Sequence, residues 1–175
     1  MSDGIRGALP ADYELVGELT VAAYRATGMI DGNDAYMSTL LDTADRAEKA
    51  EVYVVDGPAY VVDSPARAVE PARLLGTVTI VGAGTPYSEV ARDDELEFRM
   101  LAVAPAAQGR GLGTSLVAFC AEQALARGLR GLVLCTRDIN VAAIRLYERL
   151  GFQRAPERDL VPVPGVNLLV LTKVV

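Results

Sequence analysis

The sequence of 175 residues contains no histidine, only two cysteines and only two lysines. Without imidazole, Ser-His-Asp and Cys-His catalysis are excluded, and any proton transfer has to use Asp, Glu, Tyr, Cys, Lys or water. Cys120 and Cys135 both lie within apolar segments, which favours buried thiols over a disulfide framework. No set of four metal ligands can be assembled, so we expect no metal site.

Long apolar runs and an excess of positive charge are also absent. No stretch approaches the roughly 18 to 20 consecutive apolar residues that a membrane span requires, and residues 1–4 lack the features of a signal peptide. The formal net charge of −6 argues against nucleic-acid binding through a basic surface. These features predict a cytoplasmic protein that binds neither membrane nor nucleic acid.

The length and composition are typical of one globular domain. A chain of this size, with 51% hydrophobic and 23% charged residues, can bury a core without disulfides. No repeat or composition break divides it, so we expect one domain over residues 1–175. Gly and Pro are dense in residues 63–73 and 82–94, which predicts two surface loops.

Hydrophobic periodicity predicts strands and helices that alternate in the second half of the chain. Residues 11–27 and 33–49 have helical patterns, and residues 51–62 suggest a hairpin or a strand with its continuation. The other predicted elements are strands at 74–81, 95–103, 131–136 and 166–174, a helix from a glycine-rich turn to Gly128, and a helix from an Asn140 N-cap to Gly151. This order favours an α/β fold, with a mixed sheet and helices on both faces.

The strand at 95–103 alternates apolar and charged residues over most of its length. Successive side chains of a strand point to opposite faces of the sheet. We expect the core face to carry Leu96, Phe98, Met100 and Ala102, and the polar face to carry Glu95, Glu97 and Arg99.

A glycine-rich turn, Gln108-Gly109-Arg110-Gly111-Leu112-Gly113, joins this strand to the next helix. The first amides of a helix have no intrahelical partner, and the helix dipole adds partial positive charge there. Glycines let the backbone approach phosphate oxygens, and Gln108 and Arg110 can add donors. Neither the G-x-G-x-x-G pattern nor the Gly-Lys-Ser/Thr ending of a P-loop fits. We predict a phosphate site, the alternative being a turn that is glycine-rich only because it is tight.

Two motifs in the stretch from about Glu95 to Phe152 resemble the GCN5-related N-acetyltransferase family. The turn matches the family pattern Gln/Arg-x-x-Gly-x-Gly/Ala, and residues 140–152 resemble the second signature, with its Asn, Ala, Tyr and Gly-Phe. Together the motifs cover about a third of the chain. The resemblance implies a mixed, mostly antiparallel sheet of about seven strands in which the parallel strands 95–103 and 131–136 splay apart.

The resemblance also implies acetyl-CoA as the acyl donor and an amine, in a small molecule or a peptide, as the acceptor. The pantetheine arm is expected in the gap between the splayed strands, along Leu101, Ala102 and Val103. The other donor contacts that it implies are Gln108, Gly109, Arg110, Gly111, Leu112, Gly113, Thr114 and Asn140. Homodimers are common in the family, so a homodimer is an expectation here.

Glu97 is the candidate catalytic base, because an amine is mostly ammonium near neutral pH and must lose a proton before it attacks. It lies on the polar face of its strand, where the family often has such a glutamate, acting directly or through water. A salt-bridged carboxylate is the alternative, with Glu95 as the reserve base. Tyr147 is the candidate acid by family analogy, protonating or hydrogen-bonding the leaving thiolate; a core aromatic is its alternative. Cys135 has no imidazole partner, so direct attack in a ternary complex is favoured over an acyl-cysteine.

The acceptor pocket is expected between the first two helices and the loop 82–94, with Tyr24, Tyr36 and Tyr87 as its walls. The acidic composition is compatible with a cationic acceptor. Two rival interpretations stay open at this point. One is a non-catalytic acyl-CoA-binding or regulatory domain, and the other is a nucleotide-binding protein that uses the same turn.

Overall fold

A mixed β-sheet of eight strands crosses the computed structural model, which describes residues 4–31, 35–57 and 74–175. Its strands are β1 (Ile5–Gly7), β2 (Glu51–Asp56), β3 (Leu74–Gly82), β4 (Glu95–Val103), β5 (Gly131–Arg137), β6 (Gln153–Arg154), β7 (Leu160–Val163) and β8 (Val166–Val174). They follow the order β1-β2-β3-β4-β5-β8-β6, with β7 paired to β8. Every pair is antiparallel except β4 with β5. The predicted mixed, mostly antiparallel sheet is confirmed, with one strand more than expected.

Helices cover both faces of this sheet, as predicted. They are α1 (Tyr13–Ala26), α2 (Tyr36–Leu41), α3 (Thr43–Lys49), α4 (Leu112–Ala126) and α5 (Val141–Arg149). On one face, α1 and α2 bury Val16, Val21 and Leu40 against the sheet. On the other, Leu116 and Cys120 of α4 pack into the largest apolar cluster. In the described part of the chain, no helix is long and apolar enough to cross a bilayer.

The single helix predicted at 33–49 is wrong, because the described part of this stretch forms two helices. Asp42 lies between α2 and α3 with φ −79° and ψ 69°, outside the helical region. Its Oδ1 accepts a hydrogen bond of 3.1 Å from the amide of Asp45 and so caps α3. An aspartate that can cap a new helix competes with continuation of the old one.

The remaining predicted elements agree with the structure wherever it describes them, but three short strands were missed. Those strands are β1, β6 and β7, which have two to four residues each and are too short for a clear period-two pattern. The irregular loop predicted at 82–94 is confirmed from residue 83 onward. The second half of the hairpin predicted at 51–62 and the loop at 63–73 fall on residues 58–73, which lie outside the described residues.

The predicted two-residue alternation along β4 is wrong after Arg99, where a β-bulge interrupts it. Thr79 pairs with Arg99 and Thr77 with Ala102, so β4 has one residue more than β3 between these pairs. Met100 takes a positive φ of 51°, uncommon for a residue with a side chain. Met100 and Ala102 therefore pack with α1, whereas Leu101 and Val103 pack with the α4 side, together with Phe98.

The parallel strands β4 and β5 separate beyond their first residues. Their pairing runs from Glu95 with Gly131 to Glu97 with Val133 and then stops. The predicted splayed parallel pair is confirmed. A gap between two strands exposes backbone groups that have no partner in the sheet, which suits an extended ligand.

Candidate active site

A cleft of about 470 Å³ opens where β4 and β5 separate. Its walls come from β4, from the turn that leads into α4, and from α5. The predicted donor-binding residues that line it are Leu101, Ala102, Val103, Gln108, Gly109, Gly111, Leu112, Gly113, Thr114 and Asn140. Arg110 is exposed and does not line the cleft. The structure thus gathers all but one of the predicted donor-binding residues around one cavity.

The glycines of the turn have different structural roles. Gly109 and Gly111 have φ of 76° and 81°, left-handed values that favour glycine, and Gly111 is the N-cap of α4. Gly113 lies inside the helix, where a Cβ would come within 3.2 Å of Leu146 Cδ2 on α5. The first helical bond of the turn runs from the amide of Ser115 to the carbonyl of Gly111, 3.0 Å. The amides of residues 112–114 precede it, so this helix end can bind an anion.

Asn140 closes the far side of the cleft by capping α5. Its Oδ1 accepts a hydrogen bond from the amide of Ala143 at 3.4 Å, and its Nδ2 donates to Thr136 Oγ1 at 3.3 Å. The side chain therefore fixes the junction of β5 and α5, as its position in the sequence predicted. Its contact with the donor stays a prediction.

Tyr147 lines the cleft with a side chain that is only 6% exposed. Its ring meets Phe98 and Phe152 edge to face, with centroids 5.8 and 5.7 Å away. Burial raises the pKa of Tyr147 well above its ordinary value, with smaller contributions from Cys120 and Cys135. The phenol stays protonated at neutral pH and is a hydrogen-bond donor in the cleft.

Glu97 is fully buried and its carboxylate holds the loop that precedes β4. Its Oε2 accepts from the Ser88 hydroxyl and from three successive amides, those of Glu89, Val90 and Ala91, at 2.9 to 3.1 Å. Its Oε1 is buried without a hydrogen-bond partner in the described part of the chain and lies 3.8 Å from Arg99 Nε. Glu97 lines neither cavity of the site. Its Oε2 therefore binds the loop that precedes β4.

Glu89, whose amide donates to Glu97, does line a cavity. Its Oε1 accepts a hydrogen bond of 2.5 Å from Arg99 Nη2, and its Oε2 accepts one of 3.2 Å from the thiol of Cys135. Burial and the nearby Glu89 carboxylate raise the pKa of Cys135, which remains a thiol. Sequence analysis passed over Glu89 because it lies in an irregular loop without periodicity. The reserve base, Glu95, instead forms an ion pair of 2.7 Å with Arg158.

A second cavity, of about 430 Å³, adjoins this cleft. The two are called the donor cleft and the acceptor cavity after the roles that the sequence predicts for them. Six residues line both cavities: Tyr24, Met29, Arg99, Met100, Cys135 and Thr136. Tyr24 and Tyr36 line the acceptor cavity as predicted, but Tyr87 does not; its hydroxyl donates instead to Asp45 Oδ2 at 2.8 Å. Pro162, Val163, Val166 and Leu168 form a further wall from the β7–β8 hairpin, which sequence analysis did not predict.

Three potential metal ligands, from Glu89, Glu97 and Cys135, lie within 4.8 Å of one another in the described residues. The Arg99 guanidinium already contacts both carboxylates, at 2.5 and 3.8 Å. A cation at this point would have to displace that positive charge. We therefore assign no metal role to this group.

Known proteins with the same architecture identify the family. The sequence profile described as the Acetyltransferase (GNAT) family matches residues 31–152, more than half of the chain. A mycothiol acetyltransferase of Streptosporangium roseum is 48% identical over 58 residues, 33% of this chain and 17% of that protein. The probable N-acetyltransferase camello of Xenopus laevis is 39% identical over 87 residues, 50% of this chain and 36% of that protein. The matched part thus spans well under half of either relative.

Solved structures of low sequence identity share the fold over nearly the whole chain. An acetyltransferase of the GNAT family from Staphylococcus aureus superposes with a TM-score of 0.69 at 12% identity, covering 97% of both chains. The PaiA N-acetyltransferase of Thermoplasma acidophilum, solved in complex with coenzyme A, superposes with a TM-score of 0.67 at 14% identity, covering 98% of both. The chain belongs to the acetyltransferase (GNAT) family. The predicted resemblance is confirmed.

Proposed function

We propose that this protein transfers the acetyl group of acetyl-CoA to a primary amine by direct attack in a ternary complex. The observation that carries the proposal is that two cavities meet, one at a helix N-terminus suited to a diphosphate and the other open to a second molecule. In the reaction, the amine nitrogen forms a bond to the acetyl carbon, the carbon–sulfur bond breaks, and one proton leaves the amine. The products are an amide and the free thiol of coenzyme A.

The donor is proposed to lie in the cleft between β4 and β5. Left-handed Gly109 and Gly111 expose the first amides of α4, which would bind the pyrophosphate. The backbone of Leu101 to Val103, turned toward the cleft side by the bulge at Met100, would bond to the pantetheine amides. Arg110, exposed beside the turn, would reach phosphate only by a change of rotamer.

The proton of the acceptor is proposed to leave through Glu89, with Glu97 as a positioning residue. This changes the role that sequence analysis proposed for Glu97, because Glu97 lines neither cavity. Glu89 lines the acceptor cavity, and its own amide is bound by Glu97 at 2.9 Å. Glu97 thus fixes the backbone of Glu89 and so positions its carboxylate.

Tyr147 is proposed to stabilise the leaving thiolate by a hydrogen bond. Because burial raises the pKa of Tyr147, complete transfer of its proton to a thiolate of pKa near 8.5 is unfavourable. A donated hydrogen bond requires no such transfer and strengthens as charge develops on sulfur. Cys135 keeps its proton for the same reason of burial, which favours direct attack over an acyl-cysteine.

Replacement of Tyr147 tests this proposal. We expect wild-type protein to release free thiol from acetyl-CoA only when an amine is added, and Tyr147→Phe to lower kcat about 100-fold, the usual effect of losing one donor to a developing anion. The rise in melting temperature with acetyl-CoA should persist in the variant, because the hydroxyl is proposed to act after the donor binds. Thiol release and thermal shift measure the two effects.

The matched control is Tyr53→Phe, which removes a tyrosine hydroxyl bonded to Glu51 on β2, outside both cavities. It should keep wild-type kcat. Binding of acetyl-CoA without thiol release from a broad amine panel would contradict the proposed activity and favour a non-catalytic acyl-CoA-binding protein. A thermal shift with NAD or ATP but none with acetyl-CoA would favour a nucleotide-binding protein.

A further inference from the structure

The acceptor cavity is lined by two arginines, Arg99 and Arg137, in a chain whose formal net charge is −6. Its charged lining residues in the described part of the chain are Glu89, Arg99 and Arg137. Arg99 lies 2.5 Å from the Glu89 carboxylate and 3.8 Å from the Glu97 carboxylate, so its charge is offset. The positive charge of Arg137 is not offset by an ion pair in the described part of the chain. The cavity therefore offers a cationic group to an anionic part of the acceptor, although the molecule as a whole is acidic.

Arg137 is the last residue of β5, and part of its guanidinium has no hydrogen-bond partner in the described residues. Nη1 donates to the carbonyl oxygen of Met29 at 2.6 Å, and Nε is buried without a hydrogen-bond partner in the described residues. No carboxylate within residues 4–31, 35–57 and 74–175 forms an ion pair with it. A guanidinium has five N–H donors arranged to bind a carboxylate in bidentate fashion. A ligand carboxylate would supply the missing counter-charge.

The position of Arg137 limits how far that carboxylate can be from the reacting nitrogen. Met29, whose carbonyl Arg137 contacts, lines both the donor cleft and the acceptor cavity. The guanidinium therefore lies beside the junction where the thioester is proposed to be. In an α-amino acid, a single carbon joins the amine to the carboxylate, which matches this proximity.

The rest of the cavity wall suits an apolar body. Ile30, Val163, Val166 and Leu168 contribute aliphatic side chains, and Tyr36 an aromatic ring. We propose that the acceptor is an α-amino acid with an apolar side chain, whose carboxylate is bound by Arg137. This inference rests on the proposed acetyl transfer to an amine and names the chemical class of its acceptor.

Matched acceptors that differ only in the carboxylate test the inference. Leucine, leucinamide and 3-methylbutylamine share one side chain and carry a carboxylate, a neutral amide or neither group. Methionine and phenylalanine, each with its amide and its decarboxylated amine, extend the set. We expect kcat/KM for thiol release to be at least 10-fold higher with the acids than with the amides. Leucylglycine, whose carboxylate lies one residue farther away, should be a poorer acceptor than leucine.

Substitution of Arg137 then assigns the preference to this side chain. Arg137→Met should lower the ratio of kcat/KM for leucine to that for leucinamide about 10- to 100-fold, the range expected for a lost charge-assisted pair. Arg137→Lys, which keeps the charge but not the planar fork, should give an intermediate ratio and serves if the methionine variant does not fold. Arg130→Met is the matched control, because Arg130 is 81% exposed and pairs with Asp94 outside the cavity.

The outcomes separate this inference from the proposed function. Thiol release with the amines and amides that equals or exceeds release with the acids would overturn the inference and leave the acetyl transfer intact. An unchanged acid-to-amide ratio in Arg137→Met or Arg137→Lys would overturn the role of Arg137. Absence of thiol release from wild-type protein with every acceptor would overturn both.

Discussion

At the scale of single residues, two glutamates eight positions apart have opposite environments. Glu97 belongs to a regular strand but is fully buried, with its Oε2 bonded to three amides and a hydroxyl. Glu89 belongs to an irregular loop yet lines the acceptor cavity, with a side chain that is 35% exposed. The sequence pattern favoured Glu97 as the base because strand position is readable from periodicity, whereas loop geometry is not.

Substitutions to glutamine separate the two glutamates. Glu97→Gln should lower the free energy of unfolding by about 2–3 kcal/mol, because hydrogen bonds to a buried charged acceptor are replaced by weaker neutral ones. Glu89→Gln should leave stability nearly unchanged and lower kcat about 100-fold, because a general base is removed. Urea denaturation and thiol release measure the two quantities. A stable Glu97→Gln protein with low kcat, beside a fully active Glu89→Gln protein, would return the role of base to Glu97.

At the scale of elements, the turn between β4 and α4 combines backbone conformation with charge. Gly109 and Gly111 adopt left-handed φ, and the space beside each is open, since an added Cβ would meet no atom within 4 Å. Conformation and accessibility are thus both suited to an anion at the start of α4. The bulge at Met100 is the complementary feature of β4, because it changes which side chains face the cleft.

Gly111→Asp tests the anion site within this element. The aspartate would place a negative charge at the proposed pyrophosphate position, so we expect the thermal shift with acetyl-CoA to disappear. Gly84→Asp is the matched control, because Gly84 also has a positive φ, 74°, and open space around it, but lies in the loop between β3 and β4. Both variants should lose similar stability from backbone strain, about 1 kcal/mol. An equal thermal shift in Gly111→Asp and wild type would contradict the assignment of the turn.

At the scale of the whole molecule, the absence of histidine shapes the dependence of stability on pH. Hydrogen bonds from Arg6 and Arg154 lower the pKa of Asp12 and of Asp159, respectively. Burial raises the pKa of Cys120 and of Tyr147. The two aspartates therefore stabilise the fold above about pH 4 and lose that effect as acid protonates them. Cys120 and Tyr147 favour the fold below their ordinary pKa values, about 8.5 and 10, and cease to do so as alkali ionises them.

We therefore expect the urea midpoint to be nearly constant between about pH 5.5 and 8, and to fall on both sides of that range. Denaturation curves from pH 3 to 10 measure it. The Asp159→Asn variant should lose less stability than wild type between pH 6 and 3, since it lacks one of the carboxyl groups whose pKa is lowered in the folded state. A steep change in the midpoint between pH 5.5 and 8 would show that another group titrates there.

The cleft that is proposed to bind the donor could be predicted from the sequence, because most of it is built from one contiguous stretch. Strand, glycine turn and helix follow one another from Glu95 to Ala126, so their local patterns also place them in space. Asn140 and Tyr147 could also be placed, because the sequence pattern predicts the helix α5. Asn140 is the N-cap of that helix in the structure, as predicted. The family assignment rests on these same motifs, and the profile match includes them.

The cavity that is proposed to bind the acceptor was decided only by the tertiary structure. Met29, Glu89, Arg137 and Val163 are far apart in the chain, and each lies in or beside a segment whose local pattern gives no sign of the others. The bulge at Met100 was not predicted either, because residues 100–103 are all apolar and do not show which side chains face which side of the sheet. Local backbone preferences and helix-end electrostatics act over a few residues and can be read from sequence. The charge balance of a cavity depends on which distant side chains meet there, and that is settled only when the sheet assembles.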